Sequence, residues 1–214
     1  MLYSECLKPI TAGNGPGAPP TAFLDELFRV IAALPDEVFA PNERPDLYSV
    51  LAPKLGPWKG TLHRRAALAC ALMVDAGFES GWNWNEGADT TAGYETPVEQ
   101  ETGAWQVSAN SLGFDSSLKD CLARYAGAVG NDETREPHGV GAGGVSGKGA
   151  RMTNADAQLT VIFIACMKSN HALAVEYAAR LFRFNTRWSG PCNRSWITRA
   201  VTPAAVAEIE TFLS

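Results

Sequence analysis

The sequence predicts an α+β fold that is mainly α, and three observations lead to this prediction. A nearly unbroken apolar run covers residues 66–74, and apolar residues recur at helical spacing on both sides of it. Residues 80–108 instead carry Gly, Thr, Tyr and Asn with little helical periodicity, and β-structure there is what the motifs described below imply. The 214 residues are 46% hydrophobic and 19% charged, which is typical of a globular chain with a sizeable core.

The N-terminal residues 1–20 are predicted to form an irregular arm, and residues 21–214 a single domain. The arm is rich in Pro and Gly toward its end and has no apolar periodicity. Thr21 is predicted to cap a helix whose apolar stripe faces the core, and Pro35 is predicted to stop that helix.

The apolar run is predicted to form a buried central helix. Ala, Leu and Met favour helices, and residues 66–74 are apolar on every face, which is typical of a helix inside a core. We expect the helix to open at Leu62, with residues 63–65 as a solvated first turn, and to end at Gly77. The run is too short to span a bilayer, which needs about 20 apolar residues.

Glu79 is the first candidate for chemistry, because it follows this helix directly. A carboxylate at the helix C-terminus meets the negative end of the helix dipole. Phe78, Trp82 and Trp84 are close enough in sequence to supply an apolar wall. Both effects favour the protonated carboxyl that a general acid requires. The alternative is an ordinary surface glutamate after a helix end.

Helical patterns return in the second half of the chain. One helix is predicted over about 115–126 and another from Ala157 to Met167, with residues 161–164 buried. Asn170 is predicted to cap a helix over 172–182. Thr202, followed by Pro203 at the first helical position, is predicted to open a terminal helix that reaches Leu213.

Residues 127–151 are predicted to form a Gly-rich loop that is either disordered or a lid. Its Gly-x-Gly pieces lack the Gly-Lys-Ser/Thr ending and the preceding strand of a phosphate-binding loop.

Three short motifs together resemble the lysozyme-like superfamily. They are Glu79-Ser80 after a buried helix, Glu-Gly-x-Asp-Thr-Thr at 86–91 and Gly-Ala-Trp-Gln-Val-Ser at 103–108. Goose-type lysozymes and lytic transglycosylases have a Glu-Ser pair in that place, followed by a β-hairpin that ends in a similar motif. Small lysozyme-like glycoside hydrolases of bacteria and fungi are similar in the latter two elements. The resemblance implies a hairpin and a helical lobe on either side of a cleft, with Glu79 as the general acid.

The second carboxylate of such an enzyme is not evident from the sequence. Goose-type enzymes often have an acidic residue where Ser108 stands here. Glu101 and Asp89 are the candidates, since either could hold a water on the far face of the sugar. Glu86 and Glu99 are further possibilities, and a solvated loop acid is the alternative for each.

The candidate sugar contacts are aromatic rings and polar side chains around the same cleft. Aromatic rings stack on the C–H faces of sugars, whereas Asn, Gln and Ser bind hydroxyl and acetamido groups. Core anchoring is the alternative for the tryptophans. The Phe184-Asn185 pair resembles a Tyr-Asn element that lines the cleft of goose-type relatives. The candidates are Trp82, Trp84, Trp105, Gln106, Ser108, Asn110, Phe184 and Asn185.

The composition narrows the function classes. A net charge of −5 provides no basic surface for nucleic acid or an anionic membrane. No His or Cys spacing indicates a metal site, and we expect no cofactor. The expected partner is peptidoglycan or a chitin-like polysaccharide, cleaved by a muramidase or N-acetylglucosaminidase. A lytic transglycosylase and a non-catalytic sugar-binding or interaction protein are the alternatives.

The N-terminus predicts how such an enzyme would reach its substrate. Its first residues lack the basic start and long apolar region of a secretory signal. We therefore expect either a leader removed beforehand or leaderless delivery to the periplasm. The latter suggests an antibacterial effector of type VI secretion, whose immunity protein would occupy the cleft.

Overall fold

The computed structural model describes residues 16–87, 97–129, 154–183 and 195–214. In these ranges it is mainly helical and has one small antiparallel sheet, which confirms the predicted class. Strands β1 (Glu101–Thr102) and β2 (Val107–Ser108) form the sheet, and three 3-10 helices cover Asp36–Phe39, Pro97–Glu99 and Ala109–Gly113. The α-helices are α1 (Thr21–Ala33), α2 (Leu47–Leu55), α3 (Thr61–Ser80), α4 (Ser116–Val129), α5 (Asn154–Ser169), α6 (His171–Phe182), α7 (Ser195–Ala200) and α8 (Pro203–Leu213).

Helix α3 is the centre of the fold, as the apolar run predicts. Every residue from Ala66 to Gly77 is buried. Helices α1, α6, α7 and α8 all pack against it. A helix that is apolar on all faces can hide its side chains only when it is surrounded in this way.

The end of α3 differs from the prediction. Gly77 lies inside the helix, and the helix ends at Gly81 in the left-handed conformation (φ 61°, ψ 35°). The Gly81 and Trp82 amides donate to the carbonyls of Gly77 and Ala76, which completes a glycine cap. The ring of Trp82 folds back over Gly77, so close that a Cβ there would lie 2.6 Å from Cζ2.

The first turn of α3 is not the solvated segment that was expected. His63 is buried, and the Arg65 guanidinium donates to the carbonyl oxygens of Ile31, Ala32 and Leu34 and to the Asp36 carboxylate. Those carbonyls belong to the C-terminal end of α1, which carries the negative end of its dipole. The positive charge of Arg65 therefore stabilises the C-terminal end of α1, although it lies in the first turn of α3.

The sequence signals at other helix ends are mostly confirmed. The Asn170 side chain accepts from the Leu173 amide, and Thr202 accepts from the Ala205 amide. Helix α1 stops before Pro35, although Pro20 rather than Thr21 holds its N-cap position.

Helix α5 is less buried than its sequence suggests. Phe163 is fully buried, but Val161 is 48% exposed and Ile162 is 40% exposed. The prediction that residues 161–164 are all buried is therefore wrong. No single helix in the described ranges is long and apolar enough to cross a membrane; the bent pair Gln158–Ser169 and His171–Phe182 reaches that length and apolarity only in combination.

Two predicted segments lie mostly outside the described residues. They are the arm, of which residues 1–15 are outside, and the Gly-rich loop, of which residues 130–151 are outside.

Candidate active site

Glu79 lies half-buried in the last turn of α3, between two neighbours that contact different parts of the fold. Phe78 stacks on the ring of Trp196 in α7. The Ser80 hydroxyl has two acceptors for its one hydrogen, the Ala104 carbonyl oxygen of the hairpin turn at 2.9 Å and the Ala76 carbonyl oxygen of its own helix at 3.0 Å. Successive helical side chains point about 100° apart, so Glu79 points between the directions of Phe78 and Ser80. One side of its surroundings is α7 and the other is the hairpin.

The segment after α3 is fastened to the hairpin by further hydrogen bonds. The Asn83 amide donates to Ser80 Oγ at 3.1 Å, and the Asn83 side chain donates to Glu86 Oε2 at 2.8 Å. The Gly103 amide donates to the Glu86 carbonyl oxygen at 3.0 Å. The helix end, this segment and the hairpin therefore form one connected unit.

The hairpin places Glu101 directly opposite Ser108. These two residues are Cα partners in the antiparallel pair, as are Thr102 and Val107. Thr102 and Val107 are buried, whereas Glu101 and Ser108 are both half-exposed. Cross-strand partners project to the same face with Cβ atoms about 4.5–5.5 Å apart. The Glu101 carboxylate thus starts beside the position where goose-type enzymes often have an acid.

The polar candidates of the hairpin make local hydrogen bonds. Gln106 has positive φ (43°) and donates through Nε2 to the Gly103 carbonyl oxygen at 2.9 Å. Ser108 donates through Oγ to Asn110 Oδ1 at 2.7 Å. Asn110 is exposed. Gln106 lies in the turn of the hairpin, whereas Ser108 and Asn110 lie at and just after the end of β2.

The structure favours core anchoring for Trp82 and Trp105. Both rings are buried, and their indole N–H groups donate to consecutive carbonyl oxygens of α3, Trp82 to Met73 and Trp105 to Leu72, each at 2.9 Å. A buried indole needs such a partner. These two rings have no surface to offer a sugar, so we do not assign them to substrate binding.

Trp84 is half-buried and its ring is flanked by other rings. His171 stacks on it with centroids 4.1 Å apart, Phe23 lies 4.6 Å away, and Trp105 approaches edge-on. The His171 ring is 14° from parallel to Trp84, whereas the Phe23 ring is tilted by 31°. Trp84 therefore packs the hairpin against α1 and α6, and burial there lowers the pKa of His171.

Two residues near Glu79 were not singled out from the sequence. Asp75, one turn earlier on nearly the same side of α3, is completely buried, which is rare for an acid. Its only sequence signal is a charge directly after the apolar run. Trp196 was missed because it joins Phe78 from far along the chain.

An open cavity of about 470 Å³ lies elsewhere, lined by residues of the 37–44 loop, the start of α4 and the end of α6. Arg183 and Arg180, which line this cavity, pair with acidic residues of the fold. Arg183 donates to Asp46 Oδ2 at 2.6 Å, and Arg180 pairs with the buried Glu176 at 2.6 Å. None of the predicted site residues that the structure describes lines this cavity. We place the candidate site at Glu79 because of its sequence motifs and its position at the end of α3.

Three predicted site residues, Asp89, Phe184 and Asn185, lie outside the described residues. Within the described ranges, no group of three or more His, Cys, Asp or Glu side chains could hold a metal ion. No protein-family model, curated protein or solved structure matches the chain.

Proposed function

We propose that this protein is a glycoside hydrolase that cleaves β-1,4 bonds between N-acetylated amino sugars, with Glu79 as the general acid. The observation that carries the proposal is the placement of Glu79: a half-buried residue in the last turn of the central helix, whose two neighbours contact the hairpin and α7. The lysozyme-like motifs at 79–80 and 103–108 support the same reaction and point to peptidoglycan, or a chitin-like polysaccharide, as substrate.

In this reaction Glu79 donates its proton to the glycosidic oxygen as the bond to the anomeric carbon breaks. Glu101 is the proposed second carboxylate, because its position opposite Ser108 supplies an acid to the place where the goose-type acid is missing. As a general base, Glu101 would take a proton from the attacking water. Asp89 stays the other candidate for that role.

Removal of the Glu79 carboxylate tests the proposal. Glu79→Gln keeps the side-chain shape, so it should fold normally and release no soluble fragments from purified peptidoglycan or chitin. Glu43→Gln makes the same exchange at an exposed glutamate that lines the cavity of about 470 Å³, and it should leave release unchanged. Full fragment release by Glu79→Gln would refute Glu79 as the acid.

A lytic transglycosylase is the second candidate, favoured by Ser108 at the position of the goose-type acid. There Glu79 would act first as acid and then as base, while a hydroxyl of the substrate itself attacks the anomeric carbon. Mass spectrometry separates the reactions, because transglycosylation gives anhydro sugars and hydrolysis gives reducing ends. A wild-type protein that binds sugar and yields neither product would be a binding protein.

We further propose that the biological role is antibacterial, through delivery to the periplasm of a competing cell. A cognate immunity protein would then occupy the groove beside Glu79 and block it. The test is to co-purify the chain with the product of each neighbouring gene and to measure fragment release. A neighbour that binds without reducing release would contradict this role.

A further inference from the structure

The aromatic pair Phe78–Trp196 lies beside Glu79, and the proposed reaction does not yet use it. The two rings stack with centroids 4.8 Å apart and planes 18° from parallel. Phe78 is 37% exposed, although it follows directly on the fully buried stretch of α3. Trp196 is half-buried in α7.

The pair also lies beside the proposed acid. Phe78 precedes Glu79 in the same helical turn, and Glu79 points between the directions of Phe78 and Ser80. Ser80 contacts the hairpin through Ala104, whereas Phe78 contacts α7 through Trp196. The aromatic pair therefore lies on the side of Glu79 that faces away from the hairpin.

The other aromatic residues near Glu79 are already engaged. Trp82 and Trp105 are buried, and Trp84 is flanked by Phe23 and His171. Among these described rings, Phe78 has the most surface left for a ligand.

We propose that the Phe78–Trp196 pair is a sugar platform that holds one pyranose ring of the polysaccharide next to Glu79. The ligand class is a neutral N-acetylhexosamine unit, whose C–H face packs on the exposed side of the stack. An aromatic wall without charge suits such a ring, since it contributes apolar contact and fixes orientation. This inference rests on the proposed function, because it identifies a subsite of the same groove.

The test measures sugar binding in a background that cannot turn over. In the Glu79→Gln protein, the affinity for chitotetraose is determined by isothermal titration calorimetry. Phe78→Leu and Trp196→Leu should each weaken binding by about tenfold, as expected for the loss of an aromatic stacking contact. Phe78→Tyr keeps the ring and should restore the parent affinity.

Phe212→Leu is the matched control. Phe212 is 38% exposed and stacks on Phe28, with planes 1° from parallel. Phe212 lies near the end of α8, where Glu210 is close enough to His63 for its charge to oppose the lowering of the His63 pKa. That is the other end of α3, a 20-residue helix about 30 Å long. This variant should bind chitotetraose like its parent.

The outcomes separate the platform from the reaction. Unchanged affinity in Phe78→Leu, an equal loss in Phe212→Leu, or no binding of chitotetraose by the Glu79→Gln parent overturns the platform. If wild type binds the tetramer through Phe78 but releases no fragments from peptidoglycan or chitin, the platform stands and the hydrolase proposal fails. If Phe78→Leu releases fragments with wild-type KM, the platform fails and the reaction stands.

Discussion

The hydroxyl oxygen of Ser80 lies 2.9 Å from the carbonyl oxygen of Ala104, and this contact joins the end of the central helix to the turn of the hairpin. The same hydroxyl oxygen accepts a hydrogen bond from the Asn83 amide at 3.1 Å. The side chain of Ser80 is therefore one of the contacts that hold the end of α3 against the hairpin. The hairpin has only two residues in each strand, so it depends on such contacts for its position.

Ser80→Ala is expected to affect activity more than stability. The loss of its hydrogen bonds should lower the free energy of unfolding by about 1 kcal/mol. The hairpin would also lose its fixed position, so kcat on peptidoglycan should fall by more than tenfold, because small misplacements of catalytic groups cost about 10²-fold. Ser169→Ala, which removes a hydroxyl bonded only within its own helix at Ala165, is the control. Equal kcat in both variants would contradict the positioning role of Ser80.

Gly77→Ala should destabilise the protein, although Ala is the better helix former by about 1 kcal/mol. The new Cβ would lie 2.6 Å from Trp82 Cζ2 and 2.8 Å from Cε2. The ring cannot give way easily, because its indole N–H is bonded to Met73. Overpacking of this kind costs about 1–3 kcal/mol.

A double-mutant cycle in urea isolates this contact. Gly77→Ala should cost less in a Trp82→Leu background, where the contacts with the ring are gone and the contact with Pro16 Cγ at 3.0 Å remains. A cost of Gly77→Ala that is the same in both backgrounds would show that Trp82 is not its cause.

Arg65→Met should cost about 2–3 kcal/mol of unfolding free energy, because hydrogen bonds from a charged group contribute more than neutral ones. The guanidinium bonds the last carbonyls of α1 and the side chain is only 13% exposed. Arg29→Met removes an exposed arginine paired with Glu26 and should cost less than about 1 kcal/mol. Thermal unfolding of both variants measures the difference, and similar losses would contradict a capping role for Arg65.

The buried His63 and the half-buried His171 should make the protein less stable as the pH falls below neutrality. Burial lowers the pKa of both His63 and His171 below the ordinary 6.5. The unfolded chain therefore takes up protons first, so stability is complete above about pH 6.5 and declines as the pH falls toward the folded pKa values. Arg64 and Lys59 act with burial at His63, while Glu210 opposes it.

Unfolding in urea between pH 7 and pH 5 measures this slope. Glu176 also has a lowered pKa, but it starts from 4.5 and so contributes mainly at lower pH. A His63→Gln/His171→Gln variant should show a flatter dependence in this window. A slope equal to that of wild type would show that groups other than His63 and His171 cause the pH dependence of stability.

The sequence was informative where a structural feature depends on neighbouring residues. The stretch from Ala66 to Gly77 is buried because it is apolar on every face, and that pattern is visible without coordinates. Asn170 and Thr202 cap their helices through amides three positions ahead, so their role can also be predicted locally. Glu79 was predicted to follow the central helix directly, but it lies in the last turn because the helix continues to Ser80.

The predictions that failed depended on contacts between distant segments. Gly77 looks like a helix terminator until Trp82 is seen to pack on it. Arg65 has its partners about one helix earlier in the chain, at Ile31 and Leu34. Val161 has an apolar side chain but no element of the described residues covers it. Periodicity shows which faces are apolar, but it does not show which of them find a neighbour.

The cross-strand pair Glu101–Ser108 yields the last prediction, because it allows the second carboxylate to be moved. Glu101→Gln should lower kcat for hydrolysis by about 10²- to 10⁴-fold, the usual contribution of a general base. In the double variant Glu101→Gln/Ser108→Asp the acid returns on the facing strand, with Cβ atoms about 5 Å apart, and part of the activity should return. Ser108→Asn in the same background adds no carboxylate and should give no recovery.

The anomeric configuration of the product, followed by NMR, reports the mechanism. Carboxyls about 6.5–9.5 Å apart give inversion at the anomeric carbon, whereas carboxyls about 5–5.5 Å apart give retention. Wild-type activity in Glu101→Gln, with reducing-end products, would leave Asp89 as the second carboxylate.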